Sequence, residues 1–173
     1  MAAAALIAAV AVFFLVAKTP RASDTSREEV YARTQPGDFA APGFIDQDGQ
    51  PFDPGSLPGK RWVINFFFTS CPGPCPMMTQ KIAYMLSKDP DLRALSITSD
   101  PAVDTPAVMK AYGEKFKADF SRWSFVTGKP DAVREFSAKI LKLPLGEIPD
   151  SHSQRVAIIN AAGGIVEWKD LAP

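Results

Sequence analysis

The sequence contains few of the residues that usually bind metals or act as nucleophiles, with two cysteines and one histidine among 173 residues. It carries no excess charge, because 19 basic residues balance 19 acidic ones, and this balance argues against nucleic-acid binding. It has no internal repeat and, apart from an alanine-rich start, no low-complexity block. Repeat architectures and nucleic-acid-binding classes are therefore excluded, and the two thiols and the imidazole become the candidates for function.

The N-terminal segment is apolar, and the rest of the chain is long enough for one domain, with 46% hydrophobic residues overall. Residues 1–17 form an uncharged apolar run, which predicts a transmembrane anchor or signal-anchor, with a cleaved signal as the alternative. Residues 18–36 are polar and predict a flexible tether, followed by a domain over 37–173. Lys18 and Arg21 after the run favour a cytoplasmic domain by the positive-inside rule. Paired cysteines behind an export-like segment favour instead the exported side, periplasmic or equivalent.

Cys71 and Cys75 are four residues apart and follow a strand-like apolar run. Pro76 suits the first turn of a helix, which places Cys75 near a helix N-terminus, where the dipole favours thiolate. A C-x-x-x-C pair at a loop-to-helix junction can close a disulfide or bind one metal ion. A structural disulfide or two inert buried thiols are the alternatives.

The order of predicted elements indicates an α/β, thioredoxin-like fold with a mixed central sheet flanked by helices. Asp48-Gly49 between apolar runs predicts a hairpin turn, and residues 61–68 read as a central strand buried on both faces. The later elements are predicted as a helix at 76–87, a strand at 92–98, a helix at 106–118, a strand at 123–126, a helix at 130–141 and a hairpin of 155–160 with 165–168.

The second predicted helix has a well-marked start. Asp104 or Thr105 can cap it, with Pro106 in its first turn and Tyr112 in its apolar stripe. We interpret Asp104 as a helix cap.

His152 is the only histidine, and it stands just before the final predicted hairpin. In the predicted fold this loop faces the loop that follows the first long strand, so the imidazole can approach Cys71 and Cys75. Two thiolates and one imidazole form a soft trigonal set suited to Cu(I), and a weak further ligand would allow Cu(II). Three methionines at helical spacing are expected in the core rather than as ligands: Met77, Met78 and Met85.

The chain resembles the Sco/SenC family of thioredoxin-like copper proteins that help assemble cytochrome c oxidase. The resemblance runs from about residue 42 to residue 168. Its most specific parts are Asn65 through Cys71, Cys75-Pro76-Met77, Asp100-Pro101 with Asp104-Thr105-Pro106, Phe125 through Gly128, and Ser151-His152-Ser153.

The resemblance implies that Cys71, Cys75 and His152 bind copper and that an N-terminal membrane anchor holds the domain outside the cytoplasm. It implies as partners a cytochrome c oxidase subunit with a copper site and other copper or thiol-redox proteins. Asp104 falls where the family carries an acidic residue associated with the metal-binding loop. Family members usually continue into a C-terminal helix, whereas this sequence ends at Pro173, so we expect either clipped ends or a different cover for one face of the sheet.

Three functions follow from the same residues. The favoured hypothesis is a metallochaperone, not an enzyme, with a shallow, exposed copper site that unloads by ligand exchange. The alternative is a membrane-tethered thiol-disulfide oxidoreductase that uses Cys71 and Cys75, with His152 assisting proton movement. The third is a structural module with an inert disulfide, in which replacing His152 changes nothing.

Overall fold

Seven strands form one mixed sheet in the computed structural model, which describes residues 43–143, 145–146 and 152–171. The strands are β1 (Phe44–Asp46), β2 (Pro51–Phe52), β3 (Arg61–Phe67), β4 (Leu92–Thr98), β5 (Trp123–Thr127), β6 (Arg155–Ile159) and β7 (Ile165–Asp170). The helices are α1 (Pro74–Lys88), α2 (Pro106–Lys115) and α3 (Pro130–Phe136), with a 3-10 turn at Pro54–Ser56 and a π-helical turn at Ser137–Leu141.

The sheet order is β2-β1-β5-β4-β3-β6-β7, so the predicted central strand is interior to the sheet. β3 pairs in parallel with β4 and antiparallel with β6, and every residue of β3 after Arg61 is buried. Burial on both faces explains its continuous apolar run. The mixed sheet flanked by helices is confirmed for the described residues.

The predicted anchor at 1–17 and tether at 18–36 lie outside the described residues, so the domain boundaries stay predictions. Within residues 43–143, 145–146 and 152–171, none of the helices combines the length and the apolar character that crossing a membrane requires.

Element boundaries differ from the prediction at the ends of helices. α1 begins at Pro74, two residues earlier than predicted, because proline suits the first helical position. α2 ends at Lys115 and not at 118, because Lys117 adopts a left-handed φ of 55°. The Ala118 amide then donates to the Gly113 carbonyl at 3.1 Å, which closes a Schellman-type end.

The predicted helix at 130–141 is regular only to Phe136. It continues as the π-helical turn and stops at Lys142, whose φ is 53°. The Ser137 hydroxyl donates to the Leu143 carbonyl and fixes the end of this helix.

One hydrophobic cluster joins α1 and α2 to the sheet and includes both cysteines. Its fully buried members include Phe67 on β3, Met78 and Ile82 on α1, and Phe125 on β5. Burying a side chain of this size contributes about 1.5–3 kcal/mol. Both thiols are therefore part of the main hydrophobic core.

A buried polar network ties three strands together within this core. The Ser96 hydroxyl on β4 donates to Asn65 Oδ1 on β3 at 2.7 Å and accepts from Trp123 Nε1 on β5 at 2.9 Å. Because Asn65 and Ser96 are paired in the β3–β4 register, the network stabilises that register.

Replacing Ser96 by alanine removes both of these hydrogen bonds. The buried atoms Asn65 Oδ1 and Trp123 Nε1 each lose the hydrogen bond to the Ser96 hydroxyl. We expect Ser96→Ala to lower the free energy of unfolding by about 1–3 kcal/mol, measured by denaturant titration. Ser124→Ala, at a half-buried position on β5, is the matched control and should cost less. Equal losses in the two variants would contradict a stabilising role for the network.

Candidate functional site

Cys71 and Cys75 lie where β3 passes into α1. The Cys71 amide donates to the Phe68 carbonyl at 3.3 Å, which turns the chain directly after the strand. Cys75 is the second residue of α1, inside the helix whose start was predicted at Pro76, and it therefore lies at the helix N-terminus. Cys71 and Cys75 are buried, with exposed fractions of 8% and 0%.

The N-terminus of α1 has no side-chain cap. Gly73 occupies the N-cap and makes no side-chain hydrogen bond, and Pro74 and Pro76 have no N–H to donate. A helix end of this kind favours negative charge nearby, which suits a thiolate at Cys75.

His152 contacts the second thiol. Its Nε2 lies 3.5 Å from Cys75 Sγ, across a sequence separation of 77 residues. Its Nδ1 lies 3.0 Å from the Ser153 carbonyl oxygen, which can only accept, so we assign the proton to Nδ1. In the neutral ring, Nε2 therefore presents a lone pair to the sulfur. The imidazole packs edge-on against Phe68, with ring centroids 5.8 Å apart.

The separation of sulfur and nitrogen fits two ligands of one metal ion. With metal–sulfur and metal–nitrogen bonds of about 2.3 and 2.0 Å, a thiolate and an imidazole on the same ion are about 3.5–3.8 Å apart. Cys75 and His152 are 3.5 Å apart without any movement.

Cys71 belongs to the same buried cluster but does not complete a ready-made three-ligand site. In the part of the chain that the structure describes, no group of three His, Cys, Asp or Glu side chains is arranged to hold a metal ion. Cys71 would have to turn toward the other two groups to share one ion with them. The three-ligand set therefore stays a prediction.

The expectation of a shallow, exposed site is wrong for the thiols. Both sulfurs are buried because the loop after β3 packs into the core cluster rather than standing above it. His152 is the half-buried member of the set.

The three methionines near the site differ in burial. Met78 is fully buried and Met85 packs against the core, as expected for core residues. Met77 is instead 40% exposed, immediately after Cys75-Pro76.

Asp104 is not the helix cap that we expected. Thr105 caps α2, accepting from the Val108 amide at 3.4 Å, and Asp104 is fully buried. Its carboxylate accepts from the Thr69 amide at 3.2 Å, from the Thr69 hydroxyl at 2.5 Å and from the Thr98 hydroxyl at 2.5 Å. A carboxylate can accept several bonds at once. This one fixes the start of residues 69–75, the segment that carries both cysteines and is called the cysteine loop below.

Tyr112 and Thr79 also lie behind the site, and no motif in the sequence marks either of them as functional. The Tyr112 hydroxyl is 2.9 Å from Thr79 Oγ1, which donates to the Cys75 carbonyl at 2.8 Å. Burial raises the pKa of Tyr112 to about 12, against a smaller lowering by the hydrogen bond with Thr79. The helical stripe had indicated only that Tyr112 faces the core.

Comparison with known proteins identifies the relatives of this chain. A model of the SCO1/SenC family matches residues 32–170. The chain is 30% identical over 133 residues to the SCO1 protein homolog of Bacillus subtilis, and the match covers 72% of this chain and 69% of that protein.

Two solved structures share the fold. One is BsSco, described as a member of the Sco family of cytochrome c oxidase assembly proteins in which a disulfide switch was identified. It has 26% identity and a TM-score of 0.64 over 75% of this chain and 81% of its own. The other is ScoI of Bradyrhizobium japonicum with copper bound, with 26% identity and a TM-score of 0.60 over 75% of this chain and 87% of its own.

Asp104→Asn keeps the size of the side chain but replaces one acceptor oxygen by a donor. We expect it to lower the free energy of unfolding by about 1.5–3 kcal/mol and to speed amide hydrogen exchange at Thr69, because one of the two oxygens that accept from that amide, at 3.3 and 3.2 Å, becomes a donor group. Asp100→Asn, at a half-buried position in the same turn, is the control. If Thr69 exchanged at the same rate in both variants, Asp104 would not hold the loop.

The raised pKa of Tyr112 predicts a loss of stability at alkaline pH. Between pH 10 and about 12 the phenol ionises in the unfolded chain but not in the folded one, so the unfolded state binds fewer protons and stability falls as pH rises. The loss from this group is at most about 3 kcal/mol.

Tyr112→Phe should therefore flatten the alkaline end of the stability curve, measured by urea unfolding at pH 9, 10 and 11. Tyr84→Phe is the matched control, because Tyr84 is 63% exposed, and it should keep the parental slope. Parallel curves for the parent and Tyr112→Phe would contradict the raised pKa.

Proposed function

Since the chain belongs to the SCO1/SenC family, we propose that it binds copper through Cys71, Cys75 and His152 and delivers it to a copper site of a respiratory oxidase. The family membership supports this proposal, as do the copper in one solved relative and the oxidase-assembly role stated for another.

The observation that carries the proposal is the contact between Cys75 and His152. Two groups 77 residues apart meet at 3.5 Å, the distance expected for a thiolate and an imidazole on one ion. Because Nδ1 is engaged by the Ser153 carbonyl, the ring is oriented with Nε2 toward the sulfur. An inert structural disulfide would not require this arrangement.

The donor set selects the ion. Two thiolates and one imidazole are soft ligands that favour Cu(I) in a trigonal arrangement, and a weak further ligand would allow Cu(II). Zinc would normally call for a fourth protein ligand or a bound water.

Differences in burial suggest the order of transfer. Cys75 is completely buried, whereas Cys71 is slightly exposed and His152 is half-buried. Incoming thiolates or imidazoles of the recipient replace the less deeply buried donors, His152 and Cys71, first, and Cys75 releases the ion last. Oxidation of the two cysteines to a disulfide removes both sulfur ligands, so copper loading requires the reduced pair.

The N-terminal segment supports a location at a membrane. We infer that residues 1–17 anchor the chain and that residues 18–36 tether the domain on the exported side. The recipient is an oxidase subunit with its own copper site, and other copper or thiol-redox proteins are partners for loading and reduction.

Thiol-disulfide exchange is the second candidate, and the contact between the Cys75 sulfur and the His152 imidazole favours it. The thiolate of Cys71, the more exposed of the pair, would attack a disulfide of a partner protein and release one partner thiolate. Cys75, losing its proton to His152, would then attack the mixed disulfide and release the second partner thiolate. The Cys71–Cys75 pair is oxidised by two electrons and the partner disulfide is reduced to a dithiol.

Anaerobic titration of residues 37–173 with Cu(I) against a competing chelator tests the copper proposal. We expect one tightly bound equivalent, weakened about tenfold or more in His152→Ala and abolished in the Cys71→Ser/Cys75→Ser double variant. The interpretation is direct, because the chain has only these two cysteines and this one histidine.

Met77→Leu is the matched control, since Met77 is the exposed thioether next to the site and should not alter binding. Absence of binding above the chelator background in a folded, reduced parent would contradict the copper proposal and leave thiol exchange as the leading function.

A further inference from the structure

We propose that Tyr112 is a positioning residue of the copper site, acting through Thr79 to fix the first turn of α1, which carries Cys75. The inference rests on the proposed function, and it adds a residue outside the three candidate ligands. It follows from a hydrogen-bond chain that runs from α2 to the backbone of Cys75.

The direction of this chain follows from proton counting. The Thr79 hydroxyl has one proton and donates it to the Cys75 carbonyl at 2.8 Å, because a carbonyl can only accept. The Tyr112 hydroxyl, 2.9 Å from the same oxygen, must therefore be the donor to Thr79. Both hydroxyls are buried, so neither bond is easily replaced by solvent.

The ring of Tyr112 is itself held rigidly. It contacts Phe67, Phe116 and Phe125, with ring centroids 5.3, 5.0 and 6.3 Å away. Its hydroxyl therefore provides a fixed point on α2 from which Thr79 is oriented.

A second bond from the same region holds the other end of the cysteine loop. Asp104 accepts from Thr69, two residues before Cys71, while Tyr112 donates to Thr79, four residues after Cys75. Side chains of the segment 104–112 thus form hydrogen bonds with the thiol-bearing segment 69–79 on both sides of the cysteines.

The bond from the Thr79 hydroxyl to the Cys75 carbonyl is a side-chain hydrogen bond to the first turn of α1, to which Gly73 gives no side-chain cap. The position of Cys75 Sγ relative to His152 Nε2 depends on that turn, and a ligand pair held in place before binding loses less entropy when copper arrives.

Tyr112→Phe tests this role, because it removes the hydroxyl and keeps the ring contacts. In the reduced, metal-free protein we expect the amides of Met78 and Thr79 to exchange about 3- to 10-fold faster, and the Cu(I) dissociation constant to rise by a similar factor. Tyr84→Phe makes the same chemical change on the exposed face of α1 and should alter neither quantity.

Variants at Thr79 show whether Tyr112 acts through it. Thr79→Val should weaken Cu(I) binding as Tyr112→Phe does, Thr79→Ser should restore parental binding, and the Tyr112→Phe/Thr79→Val double variant should be no weaker than Thr79→Val alone. Additive losses, or a Thr79→Ser variant as weak as Thr79→Val, would overturn the inference.

The outcomes separate this inference from the proposed function. If the parent binds no copper, the proposed function fails, whatever the exchange rates show. If the parent binds copper and Tyr112→Phe matches it in both exchange and affinity, the positioning role fails alone. A lower melting temperature in Tyr112→Phe with unchanged copper affinity also overturns the positioning role, because it marks a purely structural contact.

Discussion

The antiparallel pairing of β6 with β3 is the constraint on which the rest of the site depends. Ile64 pairs with Ala157, and continuing that register beyond its last pair puts position 152 opposite position 69. The start of β6 therefore reaches the same sheet edge as the end of β3, where the cysteine loop begins. The contact of His152 with Phe68 and Cys75 follows from this pairing.

The site is thus built from the sheet outward. The parallel pairing of β3 with β4 brings Thr98 near Thr69, and Asp104 bonds both of them from the turn before α2. The thiol-bearing loop is consequently packed into the core, and burial is the cost of holding two sulfurs in a defined place. A site of this kind favours rigid ligand placement over easy access, so exchange with a partner must begin at the more accessible donors.

Much of the fold could be predicted from the sequence because its strongest signals are local. The apolar run of β3, the Asp48-Gly49 turn and the proline at the start of α2 each specify one element through nearby residues. The approach of His152 to the thiols could also be predicted, since it depends only on the order of the strands.

Other features depend on contacts that a linear pattern does not contain. Asp104 stands one residue before the true cap, and only the folded chain shows that Thr69 and Thr98 both donate to its carboxylate. Burial of the thiols depends on how the loop after β3 packs into the core cluster. The link between Tyr112 and Thr79 joins two helices through side chains that are ordinary core residues in the sequence.

The most direct measurement is X-ray absorption at the copper edge of the protein loaded with one equivalent of Cu(I), compared with His152→Ala. The proposed site predicts two sulfur donors and one nitrogen donor in the parent, with the nitrogen lost from the variant while the sulfurs remain. Copper bound without a nitrogen donor in the parent, or an identical spectrum in His152→Ala, would contradict the three-ligand site.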